Sequence, residues 1–189
     1  MRSLNHPMIW YLMRGSGIVA LLLFSAVVVL GIATTMRWRA GRLPRFVTLG
    51  LHRNVSLLAV AFLGVHILTS LADSYAHVTV ARVFVPFGTG RYGLFLGLGA
   101  LSLDLLIAVV VTSLVRHRLS QRAWKGIHWL AYGSWPLAVL HSVGIGTDRH
   151  LGWFQLTAYT CVAAVGATAA LRVASALRQP YPKHLEARA

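Results

Sequence analysis

Four histidines sit inside two long apolar runs, and their spacing carries more chemistry than anything else in the sequence. His52 and His66 lie near the two ends of Phe46 to Ala72, and His128 and His141 near the two ends of Ala123 to Thr147. In a membrane helix an imidazole marks a proton relay, an ion path, a metal or haem ligand, or a hydrogen bond between helices. The first pair is separated by 14 residues and the second by 13. On a helix either step rises about 20 Å, most of the roughly 30 Å of hydrocarbon. Two cofactors stacked across a bilayer need that separation. Structural zinc takes a closed set of clustered ligands, and non-haem iron takes a carboxylate beside two histidines. Neither arrangement accompanies these histidines. Haem iron accepts axial histidine, and two of them at one depth saturate it, which leaves electron transfer rather than oxygen binding.

Helical geometry suits the first pair better than the second. A step of 14 returns to within about 40° of the same face, whereas a step of 13 leaves His128 and His141 about 140° apart on a straight helix. Pro136 lies between them. Its ring clashes with the carbonyl four residues earlier, that of Tyr132, so a kink or a local change of winding is expected there. Room for a flat macrocycle is expected where side chains are small: Ser56, Ala59 and Gly64 on the first run, Gly126, Gly133 and Ser134 on the second.

The elements that must position these residues are membrane helices. The chain is 57% apolar and 12% charged, too apolar for an ordinary soluble domain. Five stretches are long enough to cross the hydrocarbon: residues 8–36, 46–72, 92–115, 124–147 and 151–171, with a tail at 172–189. The fold class is all-α integral membrane, a five-helix bundle in one domain. Gly15 to Met36 is uncharged and longer than a signal-peptide core, so it is read as a retained span. The formal charge of +14 resides mostly in the loops, without a nucleic-acid motif, so no nucleic-acid partner is expected. Cys161 is the sole cysteine, so neither an internal disulfide nor a Cys-x-x-Cys site is available.

Loop charge gives the orientation. Arg37, Arg39, Arg42 and Arg45, then Arg116, Arg118, Arg122 and Lys125, then Arg172, Arg178, Lys183 and Arg188 fall on one side by parity, twelve against the five of Arg2, Arg14, Arg82, Arg91 and Arg149. By the positive-inside rule the N-terminus faces out and the C-terminus is cytoplasmic. His52 and His128 then share the cytoplasmic depth, and His66 and His141 the outer one.

Two helices bearing His-x13-His and His-x12-His, in the stretches LHRNVSLLAVAFLGVHILTSLADSY and LSLDLLIAVVVTSLVRHRLSQRAWKGIHWLAYGSWPLAVLHSVGIGTD, resemble the ferric reductase transmembrane domain superfamily. That superfamily includes NADPH oxidases, ferric reductases and the haem subunit of bacterial methionine sulfoxide reductase systems. The resemblance runs from about Gly15 to Leu171. It implies two b haems in the inner (plasma) membrane, the inner on His52 and His128 and the outer on His66 and His141, carrying electrons outward. Arg53 is a candidate propionate contact of the inner haem, and Arg82 and Arg91 of the outer one; each is equally an interfacial anchor. No G-x-G-x-x-G follows a strand-like segment, so electrons are expected from a partner flavoprotein or a quinone. The expected acceptor is an outer FMN-binding or reductase protein, or a metal. No residue is assigned a catalytic role. The rival functions are a self-sufficient ferric or quinone reductase and, in another class, a histidine-dependent proton or metal transporter without haem. Asp104, in the middle of the third span, is read as a structural hydrogen-bonding residue. His77 and His150 are loop residues, and Trp10, Trp38, Trp124 and Trp153 an interfacial belt.

Overall fold

The computed structural model describes residues 5–36, 44–73, 78–87, 93–145 and 148–178, and the regular structure among them is all helical. In chain order the helices are α1 (Asn5–Thr35), α2 (Arg45–Ala72), the short α3 (Val80–Phe84), α4 (Gly93–Leu114), α5 (Gln121–His128), α6 (Leu130–Ile145) and α7 (Gly152–Leu177). A 3-10 turn at Arg116–Arg118 links α4 to α5. Four helices, α1, α2, α4 and α7, are long and apolar enough to cross a membrane. A helix suits that environment because its backbone bonds are made within the segment. The hydroxyls follow the same rule: Ser25, Thr34 and Thr112 each donate to a carbonyl three or four residues earlier on their own helix.

The core is built on α1. Phe24, Val28 and Ile32 of α1 are buried with Val165 of α7, and Leu106, Trp135, Ala138 and Ala169 pack around them. Trp135 anchors α6 to this core by donating from Nε1 to Ser25 Oγ at 2.9 Å. α1 packs most extensively on α2, and also on α7 and α6, while the other close pairing joins α4 to α6. Ser134, fully buried, and Ser102 stitch that second pairing, each hydroxyl donating to the other residue's carbonyl at 2.8 and 2.9 Å. Helix α2, which carries His52 and His66, scarcely touches α5 and α6, which carry His128 and His141. Each is held by a neighbour that carries none of the paired histidines.

The fourth expected span differs from its sequence reading. It is two helices, α5 and α6, with the interruption at Trp129. α5 begins at Gln121, three residues ahead of the expected Trp124 start, because the N-cap Ser120 accepts the Ala123 amide at its Oγ at 3.2 Å. At the break the Tyr132 amide bonds the Trp129 carbonyl at 3.0 Å, a three-residue step of tighter winding. Pro136, where the disturbance was expected, sits inside the regular α6.

Two other boundaries differ. α7 continues past Leu171 to Leu177, because Arg172 and the alanines around it are good helix formers. The segment before α4 folds into α3, and Phe87 after it takes a left-handed backbone, φ 66°. A Cβ on Gly97 would stand 2.5 Å from the Phe87 amide nitrogen, so the glycine is what admits that turn against α4. The expected basic cluster Arg37, Arg39 and Arg42 and the tail beyond residue 178 lie outside the described residues.

Candidate functional site

The four histidines occupy two levels of the bundle, and at each level α2 faces the α5–α6 segment. His52 and His128 have ring centroids 6.3 Å apart with planes at 64°. Two metal–nitrogen bonds of about 2 Å, with half an imidazole at either end, span about the same distance. His66 and His141 are close enough to interact electrostatically. The break at Trp129 separates the winding of His128 from that of His141, and the His128 ring comes to His52 of α2 while that of His141 is seated on α4.

Glycines on the neighbouring helices seat the rings. His66 lies against Gly17 of α1, where a Cβ would stand 2.8 Å from its Nδ1, and that nitrogen meets the Met13 carbonyl at 2.8 Å. His141 lies against Gly99 of α4, where a Cβ would stand 2.5 Å from Nδ1, and it meets the Phe95 carbonyl at 2.8 Å. In both seats the carbonyl is four residues before the glycine, directly one turn below on the same helix face. His52 lies against Gly31 more loosely, with a Cβ there 3.5 Å from Cε1. The Nδ1 atoms of His52 and His128 are buried without a close hydrogen bond among the described residues, and the Val27 carbonyl, four residues before Gly31, acts on His52 from beyond that geometry.

Trp124 completes the His52–His128 level. Its indole stacks on His128, centroids 5.0 Å apart and planes at 27°. The Arg116 guanidinium lies over the same indole, 4.5 Å from its centroid. At the other level Arg14 pairs with Asp148 and packs over Trp10 at 4.1 Å, joining the start of α1 to the segment between α6 and α7.

Other expected residues fall away from the rings or outside the described set. Arg53 is exposed on α2 next to His52, and Arg82 is exposed on α3. Arg91 and His77 lie outside the described residues. Asp104 is partly buried on α4, with no hydrogen bond or ion pair of its carboxylate to another described residue. His150 accepts from Arg149 Nε at 3.0 Å in a surface turn. Of the small residues expected to clear space, Ser134 is spent on α4, and Ser56 bonds back to the His52 carbonyl at 2.6 Å. Gly64 and Gly126 do face open space.

The sequence reading missed Gly17, Gly31, Gly99 and Trp124 as parts of the site. A signal for two of them was present: Gly17 and Gly31 are 14 residues apart, the same interval as His52 and His66. Antiparallel helices with matched intervals meet at both positions.

Among the described residues no group of three or more His, Cys, Asp or Glu side chains converges as a metal site; the imidazoles come in pairs. An all-helical protein of membrane-spanning type, with histidines paired between its helices, is what fold and site define. Residues 8–148 match the family described as Domain of unknown function (DUF8596), and the chain belongs to that family. The matched region holds all four histidines and ends before α7. No curated protein and no solved structure matches the chain.

Proposed function

We propose that this chain is a five-span haem b protein of the plasma membrane that moves electrons from the cytoplasmic side outward. The observation that carries the proposal is the His52–His128 pair: two imidazoles 6.3 Å apart, on helices that scarcely touch, repeated at a second level by His66 and His141. A gap between unpacked helices suits a flat macrocycle, and the paired rings suit its two axial positions. Where His66 and His141 donate from Nδ1, their Nε2 lone pairs are left for a metal. In this reading α5 and α6 together make the fifth crossing, and His52 and His128 form the inner pair.

Bound haem supplies one-electron transfer through its iron. The chain's own residues hold, orient and insulate: α1 and α4 carry the seats, the α1 core keeps water out, and Arg53 stands at the inner end of α2 where an acidic group would meet it. The donor is a flavoprotein or a quinone, and the acceptor is an outer-side FMN-binding or reductase protein, or a metal. Purified from haem-sufficient cells, the protein is expected to approach two haems per chain by pyridine haemochrome assay, with low-spin spectra in both oxidation states. A colourless preparation would show the histidines to be structural or proton-carrying, and would end this proposal.

A further inference from the structure

A neutral imidazole donates from one nitrogen and accepts at the other, and a partner on one nitrogen decides the role of both. At the His66 level both partners are backbone carbonyls, Met13 O and Phe95 O, each at 2.8 Å. Neither contact forms unless the ring lies in the space a side chain would fill at Gly17 or Gly99. At the His52 level the seat is looser: the Val27 carbonyl, four residues before Gly31, acts on His52 from beyond close hydrogen-bond geometry, and His128 Nδ1 has no hydrogen-bond partner among the described residues.

We infer that Gly17 and Gly99 are positioning residues of the outer histidine pair, admitting His66 and His141 to the carbonyls of Met13 and Phe95 and so fixing both rings as Nδ1–H donors with Nε2 free to ligate. The inference deepens the haem reading and rests on it. A carbonyl on the far nitrogen also makes the imidazole a stronger electron donor to a metal. With two close carbonyls against the single looser one of Val27, the outer pair favours the oxidised ion more than the inner pair does, a difference written in backbone contacts rather than in ligand identity.

The test uses the full-length, haem-loaded protein. Gly17→Ala and Gly99→Ala, on different helices, are compared with the parent and with Gly15→Ala, whose added methyl meets nothing within 4 Å. Haem per chain and redox titrations followed at the haem absorption bands are the readouts. The expected result is that Gly15→Ala matches the parent. Each seat variant either drops from two haems to one or keeps both with the outer component, identified as the one missing in His66→Leu, titrating at a higher potential. Two haems with unchanged potentials in either variant would overturn the inference while leaving the haem proposal standing. Loss of both haems from the seat variants, with Gly15→Ala normal, would also overturn it by showing a packing role only. A parent that binds no haem fails the functional proposal itself, a result separable from the others.

Discussion

Ser134 donates to the Ser102 carbonyl and Ser102 to the Ser134 carbonyl, so one reciprocal pair of hydroxyls fixes the approach of α6 to α4. Ser134→Ala removes one of these bonds and is expected to cost about 0.5–2 kcal/mol, read by thermal unfolding in detergent. Ser134→Leu has no room at a residue with 0% exposure. It should push α6 from α4, separate His141 from Phe95 and release the outer haem before the inner one. Equal stability of the leucine variant and the parent would contradict the packing described.

His66→Leu removes one outer ligand and leaves His52 and His128 in place. Leucine is at least as acceptable to the bilayer as histidine, so the helices should be retained while haem content falls by about half. In vesicles, one haem should still be reduced from the cytoplasmic side with no delivery to an outer acceptor. His52→Leu should keep the outer haem but make it unreachable from the inner donor. Outward transfer at the parental rate by His66→Leu would mean the outer pair is structural.

The Trp124 stack belongs to the inner level alone. A stacked pair contributes about 0.5–1.5 kcal/mol beyond the area it buries, and Trp124→Leu should therefore loosen His128 without touching His66 or His141. The expected outcome is a weakened or spectrally shifted inner haem and an unchanged outer one, with Trp124→Phe intermediate. A change confined to the outer haem would show the levels to be wrongly assigned.

Arg14 and Asp148 are only 14% and 19% exposed, so their pair falls between a surface ion pair of about 0–1 kcal/mol and a buried one whose breaking costs about 3–5 kcal/mol. Asp148→Asn is expected to destabilise by about 1–3 kcal/mol, because Arg14 keeps its charge and loses its carboxylate. A double-mutant cycle with Arg14→Gln measures the coupling. Zero coupling would show that Trp10 alone holds the arginine.

The apolar periods and the proline and arginine positions made the long helices legible in the sequence, since a run of about 20 apolar residues admits few other structures. The pairing of histidines by depth was legible too, because rise per residue is fixed. The break at Trp129 was not: Pro136 is the stronger local signal, and the winding changes instead where α5, capped by Ser120, ends. Nor were the glycine seats, beyond the matched interval of Gly17 and Gly31. They belong to helices that carry none of the paired histidines, and a contact between two helices is a property of their packing that neither sequence states alone. Asp104 shows the reverse limit, being conspicuous by type in an apolar run and yet with a carboxylate bonded to no other described residue.

The equal intervals of Gly17–Gly31 and His52–His66 make α1 and α2 a lock with two wards. Both rings enter their seats at one sliding position of the hairpin, and a slip of a single residue would present bulk to both at once, since one step rotates a helix by about 100°. The hairpin thus proofreads its own alignment before any cofactor arrives. A one-residue insertion between Gly17 and Gly31 would leave α1 as long, as apolar and as helical as before, yet only one of the two histidines on α2 could then be housed.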